Sequence, residues 1–370
     1  MQLKGIKILV TGITDSGILR ARSEIIHWIL SEGAIVVVAS PKNSAYVQLE
    51  KMGCRFVEFK LNPQGINPIE DFFAYKRYVK LLKEEKPDIV LTFTTKPNIY
   101  CTLACRFQGI KYITNVTGRG RVLGVPGIKQ DIMVFLLKRS LKLASCLFFQ
   151  NSNDRDFFEK KKIASPDIYR LIPGSGVNLM QFVPEPYPDK DSHEVHFLFI
   201  SRILELKGII QYVEAAREIR KTNPECVFHV LGDNTPIYKD MIENLHKEGV
   251  IVYHGRVNNV GDYIRNSHCT IMPSYYPEGM TNVVLESAAS ARPVITTNHP
   301  GCKEGVEDGV TGYIIAPRDT KELVKAIKKF ISLSYEDKVA MGVAGRSKME
   351  REFDRSIVTT AYKEEILKLL

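Results

Sequence analysis

The chain has 370 residues, which is enough for two domains of ordinary size, each with its own hydrophobic core. Its composition, 44% apolar and 25% charged, is that of a soluble globular protein. The net charge is +9, no apolar run is long enough for a membrane-spanning helix, and the first residues lack a signal-peptide pattern. The seven scattered cysteines fit a reducing compartment and do not suggest a disulfide framework, so we expect a cytoplasmic protein.

The first half of the chain alternates short apolar runs with helical patterns, which predicts a parallel sheet covered by helices. We interpret seven apolar runs as its strands, at residues 6–10, 35–39, 55–59, 88–93, 111–115, 145–150 and 169–173.

The first turn, TGITDSGILRARSE, follows a predicted strand and opens a helix. Its glycines, Gly12 and Gly17, would let the backbone approach a phosphate or an acceptor, and we assign Gly17 to donor binding. The turn is neither a Walker loop nor a GxGxxG motif. A tight strand-to-helix turn without a ligand is the alternative.

Much of the positive charge is local. Residues 100–142 contain eight basic residues and one acidic residue, interleaved with the apolar helical pattern IMVFLLKRSLKLASCLFF. This combination favours a surface helix that dips into an anionic bilayer. The alternative is a core helix whose charged end is solvated. Nucleic acid is not an expected partner, because the patch lacks interleaved aromatic residues.

A proline-rich, charged segment at 184–194 breaks the pattern and is the predicted linker. The alternation then restarts with predicted strands at 196–201, 227–231, 251–254, 269–273, 293–297 and 312–316. We therefore predict an α/β protein of two doubly wound, Rossmann-like domains, at 1–183 and 195–350, facing a ligand-binding cleft. Residues 351–370 are the candidate for a last helix that crosses back to the first domain.

The segment PEGMTNVVLE, residues 277–286, places Glu278 and Glu286 eight residues apart around a predicted helix start. Its proline and glycine interrupt any preceding element, so we expect a helix to begin near Thr281 or Asn282. A helix N-terminus offers free N–H groups and partial positive charge to a phosphate, and the two carboxylates are placed to accept hydrogen bonds from attached sugars. The alternative is that both glutamates are ordinary solvated residues.

Further motifs accompany this segment, and together they resemble the retaining glycosyltransferases of family 4, which have the GT-B fold. The resemblance covers the chain nearly end to end. Besides the PEG segment, the motifs are LIPGSGVN at 171–178, FISRILELKG at 199–208, VLGD at 230–233, YHGRV at 253–257 and EGVEDGVTGYIIAPRD at 304–319.

The resemblance implies a donor site for a nucleotide diphosphate sugar. Arg202 and Lys207 would neutralise the departing diphosphate, and Glu278 would contact the donor sugar, so these three are the implied catalytic residues. Glu286 would hold the ribose. Further donor contacts are implied for Arg256, Val257, Gly279, Met280, Thr281 and Asn282.

The loop NVTGRGRVLG, the segment TTKPN and Arg22 resemble the acceptor side of bacterial enzymes that extend a polyprenyl-diphosphate sugar. Arg22, Lys96, Arg119 and Arg121 would then face an acceptor diphosphate. Many relatives place a histidine or an acid in this loop, whereas this chain has a threonine and a glycine there, so we assign no acceptor-side catalytic residue.

The resemblance thus predicts a retaining enzyme that moves a hexose or N-acetylhexosamine, by analogy from a UDP-linked donor, to a lipid-linked sugar or growing polysaccharide. We expect no cofactor and no metal, and a location on the inner face of the plasma membrane. Two alternatives remain. A non-hydrolysing nucleotide-sugar epimerase would need converging acids and histidines. A basic lipid- or nucleic-acid-binding module would leave the donor-site residues without a role.

Overall fold

The computed structural model describes residues 2–62, 67–190 and 193–370, with the side chain of Arg121 excepted. The chain forms two compact units. The first unit comprises the residues up to Ser175 together with Pro277–Met280 and Arg355–Leu370. The second unit comprises Gly176–Tyr276 and Thr281–Asp354.

The first unit is a sheet wrapped by helices. Its strands are β1 (Lys7–Thr11), β2 (Ile35–Ser40), β3 (Arg55–Glu58), β4 (Ile89–Phe93), β5 (Lys111–Val116), β6 (Cys146–Phe149) and β7 (Tyr169–Leu171). The helices between and after them are α1 (Asp15–Ser31), α2 (Tyr46–Lys51), α3 (Pro68–Glu85), α4 (Thr95–Gln108), α5 (Gly120–Gly124), α6 (Ile128–Ser140) and α7 (Ser152–Lys160).

The strands of this unit are all parallel, in the order β3-β2-β1-β4-β5-β6-β7. Every residue of β4 is buried, as expected for a strand with helices on both faces of its sheet. Tyr78 and Leu137 belong to the core beneath α3, α4 and α6, whereas Ile25 and Ile29 of α1 belong to the core on the other face. Both faces of the sheet are therefore closed by helices.

The second unit repeats this architecture. Its strands are β8 (Val195–Ile200), β9 (Cys226–Leu231), β10 (Val252–Gly255), β11 (Cys269–Met272), β12 (Val294–Thr297) and β13 (Gly312–Ile315), parallel in the order β10-β9-β8-β11-β12-β13. Its helices are α8 (Ile209–Arg220), α9 (Lys239–Lys247), α10 (Val260–Arg265), α11 (Asn282–Ala289), α12 (Thr320–Ile331) and α13 (Tyr335–Lys348).

The last helix, α14 (Arg355–Leu367), is part of the first unit. Its buried residues Val358, Tyr362 and Ile366 follow helical spacing and join the core beneath α1. The Tyr362 ring lies 4.4 Å from that of Phe148 in β6, and its hydroxyl accepts a hydrogen bond of 2.8 Å from Asn115 Nδ2. Helix α14, at the end of the chain, therefore completes the hydrophobic core to which α1, near the start of the chain, also belongs.

The units part between Ser175 and Gly176, eight residues before the predicted end of the first domain. The reason is that the intervening residues bond to the second unit: Val177 N donates to Phe353 O at 2.8 Å, and Arg346 Nη1 donates to Phe182 O at 2.7 Å. The bond between Val177 and Phe353 likewise holds the residues before 355 in the second unit. The C-terminal segment of the first unit therefore begins at Arg355, four residues after the predicted 351.

The predicted linker is partly packed on the second unit. Arg292 donates to the carbonyls of Glu185 and Pro186, and the Tyr187 hydroxyl donates to the carbonyl of His268. Residues 191 and 192 of this linker lie outside the described residues. The predicted linker is therefore held against the second unit by hydrogen bonds at residues 185–187.

The predicted fold class is confirmed: each unit is a doubly wound parallel sheet, and all thirteen predicted strands appear in the described residues, within two residues at either end. All seven cysteines are buried, and none of them forms a disulfide bond within the described part of the chain. None of the helices in the described ranges is both long and apolar enough to cross a bilayer.

Candidate functional site

The sheet of the second unit has its switch point between β8 and β11, because the chain builds outward from β8 on one side and from β11 on the other. In doubly wound sheets ligands bind beside the carboxyl ends of the two strands at this point. The segment 201–208 follows β8 and the segment 273–281 follows β11. Tyr275 N donates to Leu206 O at 2.9 Å, which joins these two segments.

The segment after β8 carries the two cations that the sequence predicted. Arg202 is exposed and makes no hydrogen bond or ion pair with a described residue, whereas Lys207 is only 5% exposed and its Nζ lies 5.1 Å from the centroid of the Tyr276 ring. Gly208 follows with φ +79°, and a Cβ there would lie 2.2 Å from Pro273 O. A glycine is therefore required where this segment turns into α8.

Helix α11 begins at Asn282, as the sequence predicted, with Thr281 at its N-cap position. The Thr281 side chain makes no capping hydrogen bond and lies 3.3 Å from Cys302 Sγ instead. Val284 N donates to Thr281 O at 3.1 Å, so the amides of Asn282 and Val283 are the ones left open to a ligand within the described residues, and the positive end of the helix dipole adds to their attraction for an anion. Glu286 lies on the same helix and is 4% exposed.

Arg256 and Val257 follow the edge strand β10. The Arg256 guanidinium lies 3.7 Å from Asp233 Oδ2, and its side chain is largely exposed. Gly232, after β9, has φ +138°, and a Cβ there would lie 1.9 Å from Ser201 O. The carboxyl ends of the neighbouring strands β8, β9 and β10 therefore lie side by side, and the backbone after β9 closely approaches the backbone after β8.

Glu278, Gly279 and Met280 belong to the first unit, where the backbone of their segment is fixed by hydrogen bonds. Gly279 N donates to Thr117 O at 3.1 Å, and Gly120 N donates to Pro277 O at 3.2 Å. The segment therefore lies directly against the NVTGRGR loop.

Asn151 is a residue of this arrangement that the sequence did not indicate. Its Nδ2 donates to Gly279 O at 2.8 Å, and its Oδ1 accepts from Asp154 N at 2.8 Å, which caps α7. The only sequence signal is the N-cap pattern N-S-N-D, and that pattern predicts the helix start alone.

Two of the predicted acceptor residues are paired with carboxylates. Lys96 Nζ lies 2.9 Å from Asp71 Oδ1, and Arg119 Nε lies 2.8 Å from Asp154 Oδ1. In each pair the carboxylate offsets the positive charge of the residue that was predicted to bind an acceptor diphosphate. The side chain of Arg121 lies outside the described part of the chain.

Arg22 and Gly17 both lie in α1. Arg22 is buried, with its guanidinium 4.4 Å from the centroid of the Phe93 ring. The Gly17 amide donates to Thr14 Oγ1 at 3.1 Å as part of the helix cap. Since that amide is already bonded, the structure gives no support to its predicted contact with the donor.

Four histidines lie in a row across the second sheet. His196 Nδ1 is 3.0 Å from His229 Nε2, His229 Nδ1 is 2.9 Å from His254 Nε2, and His196 N donates to His268 Nδ1 at 3.0 Å. Burial lowers the pKa of His229 and of His268 to about 4. We call these four residues the histidine row. Within the described ranges, no three histidine, cysteine, aspartate or glutamate side chains are grouped to hold a metal ion.

Two family models match this chain. The model described as "Glycosyl transferases group 1" matches residues 187–348, and the model described as "Glycosyl transferase 4-like" matches residues 7–151. The two matches fall on the second and the first half of the chain.

Similar proteins act on lipid-linked sugars. An N,N'-diacetylbacillosaminyl-diphospho-undecaprenol alpha-1,3-N-acetylgalactosaminyltransferase of Campylobacter jejuni is 22% identical over 88% of this chain and 89% of its own length. A UDP-Gal:alpha-D-GlcNAc-diphosphoundecaprenol alpha-1,3-galactosyltransferase of Escherichia coli is 26% identical over 71% of both chains. Anabaena HepE, solved in complex with UDP and glucose, has a TM-score of 0.79 at 16% identity over 98% of this chain and 99% of its own.

Proposed function

This chain is a glycosyltransferase with two Rossmann-like domains, and we propose that it is a retaining enzyme of family 4 that transfers a hexose or N-acetylhexosamine from a UDP-linked donor. The proposed acceptor is a polyprenyl-diphosphate-linked sugar. The observation that carries the proposal is the switch point of the second unit, where the unpaired cation Arg202 and the uncapped N-terminus of α11 occur together. Both features favour an anion such as a diphosphate.

The proposed roles follow from the charge that develops during transfer. As the bond between the anomeric carbon and the diphosphate breaks, the diphosphate gains negative charge, and Arg202 and Lys207 offset it. An acceptor hydroxyl oxygen bonds to the same carbon, and its proton passes to the departing phosphate. We assign Glu278 to the hydroxyls of the donor sugar and Glu286 to the ribose. No metal is needed in this proposal, because the two cations take its part.

The proposed donor and acceptor are supported by the relatives. One relative carries UDP-Gal in its name, both curated relatives are named for diphospho-undecaprenol-linked sugars, and HepE was solved with UDP. These names describe those proteins, and their identities to this chain are below 30%. We therefore propose the chemical class of the acceptor, a sugar linked to a polyprenyl diphosphate. The comparisons favour neither the epimerase nor the binding module.

An anionic membrane surface on the inner face of the plasma membrane is the further proposed partner. Helix α6 buries Met133, Val134 and Leu137 but exposes Ile128, Ile132 and Phe135, which recur at helical spacing on its other face. We call the latter three the exposed α6 stripe. Lys129, Lys138, Arg139 and Lys142 are exposed around it. An apolar stripe surrounded by cations suits a helix that lies on an anionic bilayer. The lipid-linked acceptor would be anchored in the same bilayer.

The test is a panel of nucleotide sugars incubated with a short polyprenyl-diphosphate sugar and with the purified protein. We expect transfer from a UDP-linked sugar with retention of the anomeric configuration. Arg202→Ala should reduce kcat/KM at least 100-fold, since removing one charge donor from such a site costs roughly that factor.

Arg217→Ala is the matched control, because Arg217 is an exposed arginine of α8 with only a surface ion pair to Glu248. It should keep full activity. Equal activity of Arg202→Ala and Arg217→Ala would overturn the site, and absence of transfer from every UDP-sugar to every lipid-linked acceptor would overturn the proposed reaction.

A further inference from the structure

None of the predicted site residues lies in the turn that follows β12, although this turn bonds to the start of α11. The turn comprises residues 299–304 and is closed by two hydrogen bonds. Cys302 N donates to His299 O at 3.0 Å, and Gly301 N donates to Glu304 Oε2 at 2.8 Å. We call it the 299–304 turn.

The 299–304 turn holds Thr281, the N-cap residue of α11, by two of its atoms. Thr281 N donates to Gly301 O at 2.7 Å, and Thr281 Oγ1 lies 3.3 Å from Cys302 Sγ. The residue after the turn, Gly305, packs against the first turn of the helix, because a Cβ there would lie 2.7 Å from Val284 Cγ1. The start of α11 is therefore positioned by this turn.

The thiol of Cys302 determines the direction of its bond with Thr281. Cys302 Sγ donates to Ser274 O at 3.8 Å, and a thiol has only one hydrogen to donate. The hydrogen between Thr281 Oγ1 and the sulfur is therefore that of the hydroxyl. Both side chains are buried, with Cys302 1% and Thr281 3% exposed. The Thr281 hydroxyl thus donates to a sulfur atom inside the second unit.

The carbonyl of Ser274 does not depend on the thiol in the same way. It also accepts a hydrogen bond from the hydroxyl of Thr297. The hydroxyl of Ser274 donates to Leu206 O at 3.4 Å, in the segment after β8. Removing the sulfur would therefore leave Ser274 bonded and would act chiefly on the hydroxyl of Thr281.

Thr14 shows how a threonine in this protein otherwise acts at a helix start. It is the N-cap residue of α1, and its Oγ1 accepts from the amide of the third helical residue at 3.1 Å. In α11 the amide of the third residue, Val284, donates to the backbone carbonyl of Thr281 instead. The amides of Asn282 and Val283 are left open in the described part of the chain.

We propose that Cys302 is a positioning residue for the donor diphosphate. By binding the Thr281 hydroxyl, the sulfur keeps this side chain from capping α11, and the open amides of Asn282 and Val283 remain available to phosphate oxygens. Without the sulfur the hydroxyl loses this bond, and the amide at the second helical position is one to which an N-cap threonine bonds. That the anion is the diphosphate of a nucleotide sugar rests on the proposed function.

The first test is a titration of UDP into the full-length protein, with heat as the readout. Cys302→Ala should weaken UDP binding about tenfold or more, because a bond between an amide and a charged phosphate is lost when Thr281 caps the helix. Cys302→Ser should bind within about threefold of the wild type, since its hydroxyl can still accept from Thr281 and donate to Ser274.

Cys226→Ala is the matched control. Cys226 is a fully buried cysteine of the same unit, but it lies at the first residue of β9, whereas the candidate site lies at the carboxyl ends of the strands. This variant should bind UDP as the wild type does. Circular dichroism and urea unfolding of each variant ensure that only folded proteins are compared.

A double-mutant cycle separates this role from a general loosening of α11. Thr281→Val keeps a β-branched side chain but has no hydroxyl with which to cap the helix. In that background Cys302→Ala should therefore change UDP binding less than about twofold, because the hydroxyl through which the cysteine acts is absent. A merely structural role of Cys302 would weaken binding by the same factor in both backgrounds.

Two results would overturn this inference while the proposed reaction stands: wild-type affinity of Cys302→Ala for UDP, or an equal loss with and without the Thr281 hydroxyl. If the wild type does not bind UDP, the proposed donor fails, and a titration with inorganic diphosphate takes its place. Diphosphate should then bind the wild type and bind Cys302→Ala about tenfold or more weakly. Absence of saturable diphosphate binding at millimolar concentration would overturn the inference as well.

Discussion

Asn151 Nδ2 lies 2.8 Å from the carbonyl oxygen of Gly279 and 3.4 Å from that of Glu278. One buried amide thus fixes the backbone beside the glutamate that we assign to the donor sugar. The residues joined are 127 and 128 positions apart in sequence.

Replacing Asn151 by serine should separate the two roles of this side chain. Serine is a good N-cap and keeps an acceptor for Asp154 N, but it has no amide to donate to Gly279. We expect the free energy of unfolding to fall by about 1 kcal/mol, for the lost hydrogen bond, and kcat to fall about tenfold or more as Glu278 loses its fixed position. Urea unfolding and transfer kinetics measure the two effects.

Asn244→Ser, at an exposed position of α9, is the control and should change neither quantity. A folded Asn151→Ser protein with the kcat of the wild type would show that the bond does not position Glu278.

Gly118 and Gly120 form a matched pair for testing close backbone approach. Both have positive φ, of +122° and +60°, but a Cβ on Gly118 would lie 2.6 Å from Gly279 N, whereas a Cβ on Gly120 would meet no atom within 4 Å. Gly120→Ala should therefore cost only the local strain of about 1–2 kcal/mol. Gly118→Ala must in addition displace the segment that carries Glu278.

We expect Gly118→Ala to lose at least tenfold in kcat/KM beyond Gly120→Ala, as measured with proteins shown to be folded by circular dichroism. Similar activities of the two variants would mean that the close approach to Gly279 has no bearing on transfer.

The histidine row predicts that stability depends on pH. Burial lowers the pKa of His229 and His268 to about 4, and it also lowers the pKa of His196 and His254. In the unfolded chain a histidine ionises near pH 6.5. As the pH falls from about 6.5 to about 4, the unfolded state therefore takes up protons that the folded state does not, and the free energy of unfolding decreases.

Each histidine that stays neutral contributes at most about 1.4 kcal/mol per pH unit to this slope. Urea unfolding between pH 4 and 7 should show a shallower slope for His229→Gln than for the wild type. The control is His27→Gln, on the exposed side of α1, which should keep the slope of the wild type. An unchanged slope in His229→Gln would contradict the inference that the buried His229 contributes to the pH dependence of stability.

The exposed α6 stripe predicts binding to anionic vesicles. The protein should float with phosphatidylglycerol-containing vesicles at low salt and less so at high salt, since the basic residues contribute by a screened attraction. The double variant Ile132→Ser/Phe135→Ser should bind at least tenfold more weakly, because it removes two exposed apolar side chains without touching the core.

Ile237→Ser removes a side chain that is 85% exposed in the second unit, and it should float like the wild type. Equal flotation of the double variant and this control, or equal flotation on uncharged vesicles, would rule out the stripe as the contact.

The strands and the start of α11 could be predicted because each leaves a local pattern. A buried parallel strand such as β4 is a continuous apolar run, and the proline, glycine and threonine before Asn282 mark a helix start within a few residues. The segment after β8 was predicted by its resemblance to a known motif. In all these cases the information lies in neighbouring residues.

The contacts that distinguish one basic residue from another leave no such pattern. Lys96, Arg119 and Arg22 look alike as basic residues of the first half, yet two are paired with Asp71 and Asp154, and the third is buried. The partners lie 25 and 35 positions away in sequence, and the pairing depends on which helices become neighbours. The role of Asn151 could not be predicted either, because its partner Gly279 lies 128 positions away in sequence.

The division of the chain bears on the order in which the protein can fold. The chain passes from one unit to the other at four places, after residues 175, 276, 280 and 354. A nascent chain emerging from its N-terminus can complete the second unit before the first, because the first unit lacks Val358, Tyr362 and Ile366 until the last residues are made. Cutting this protein at the end of its first seven strands would therefore leave an open apolar face beside α1, whereas the second half would keep its own core and carry α14 without the core that this helix packs on.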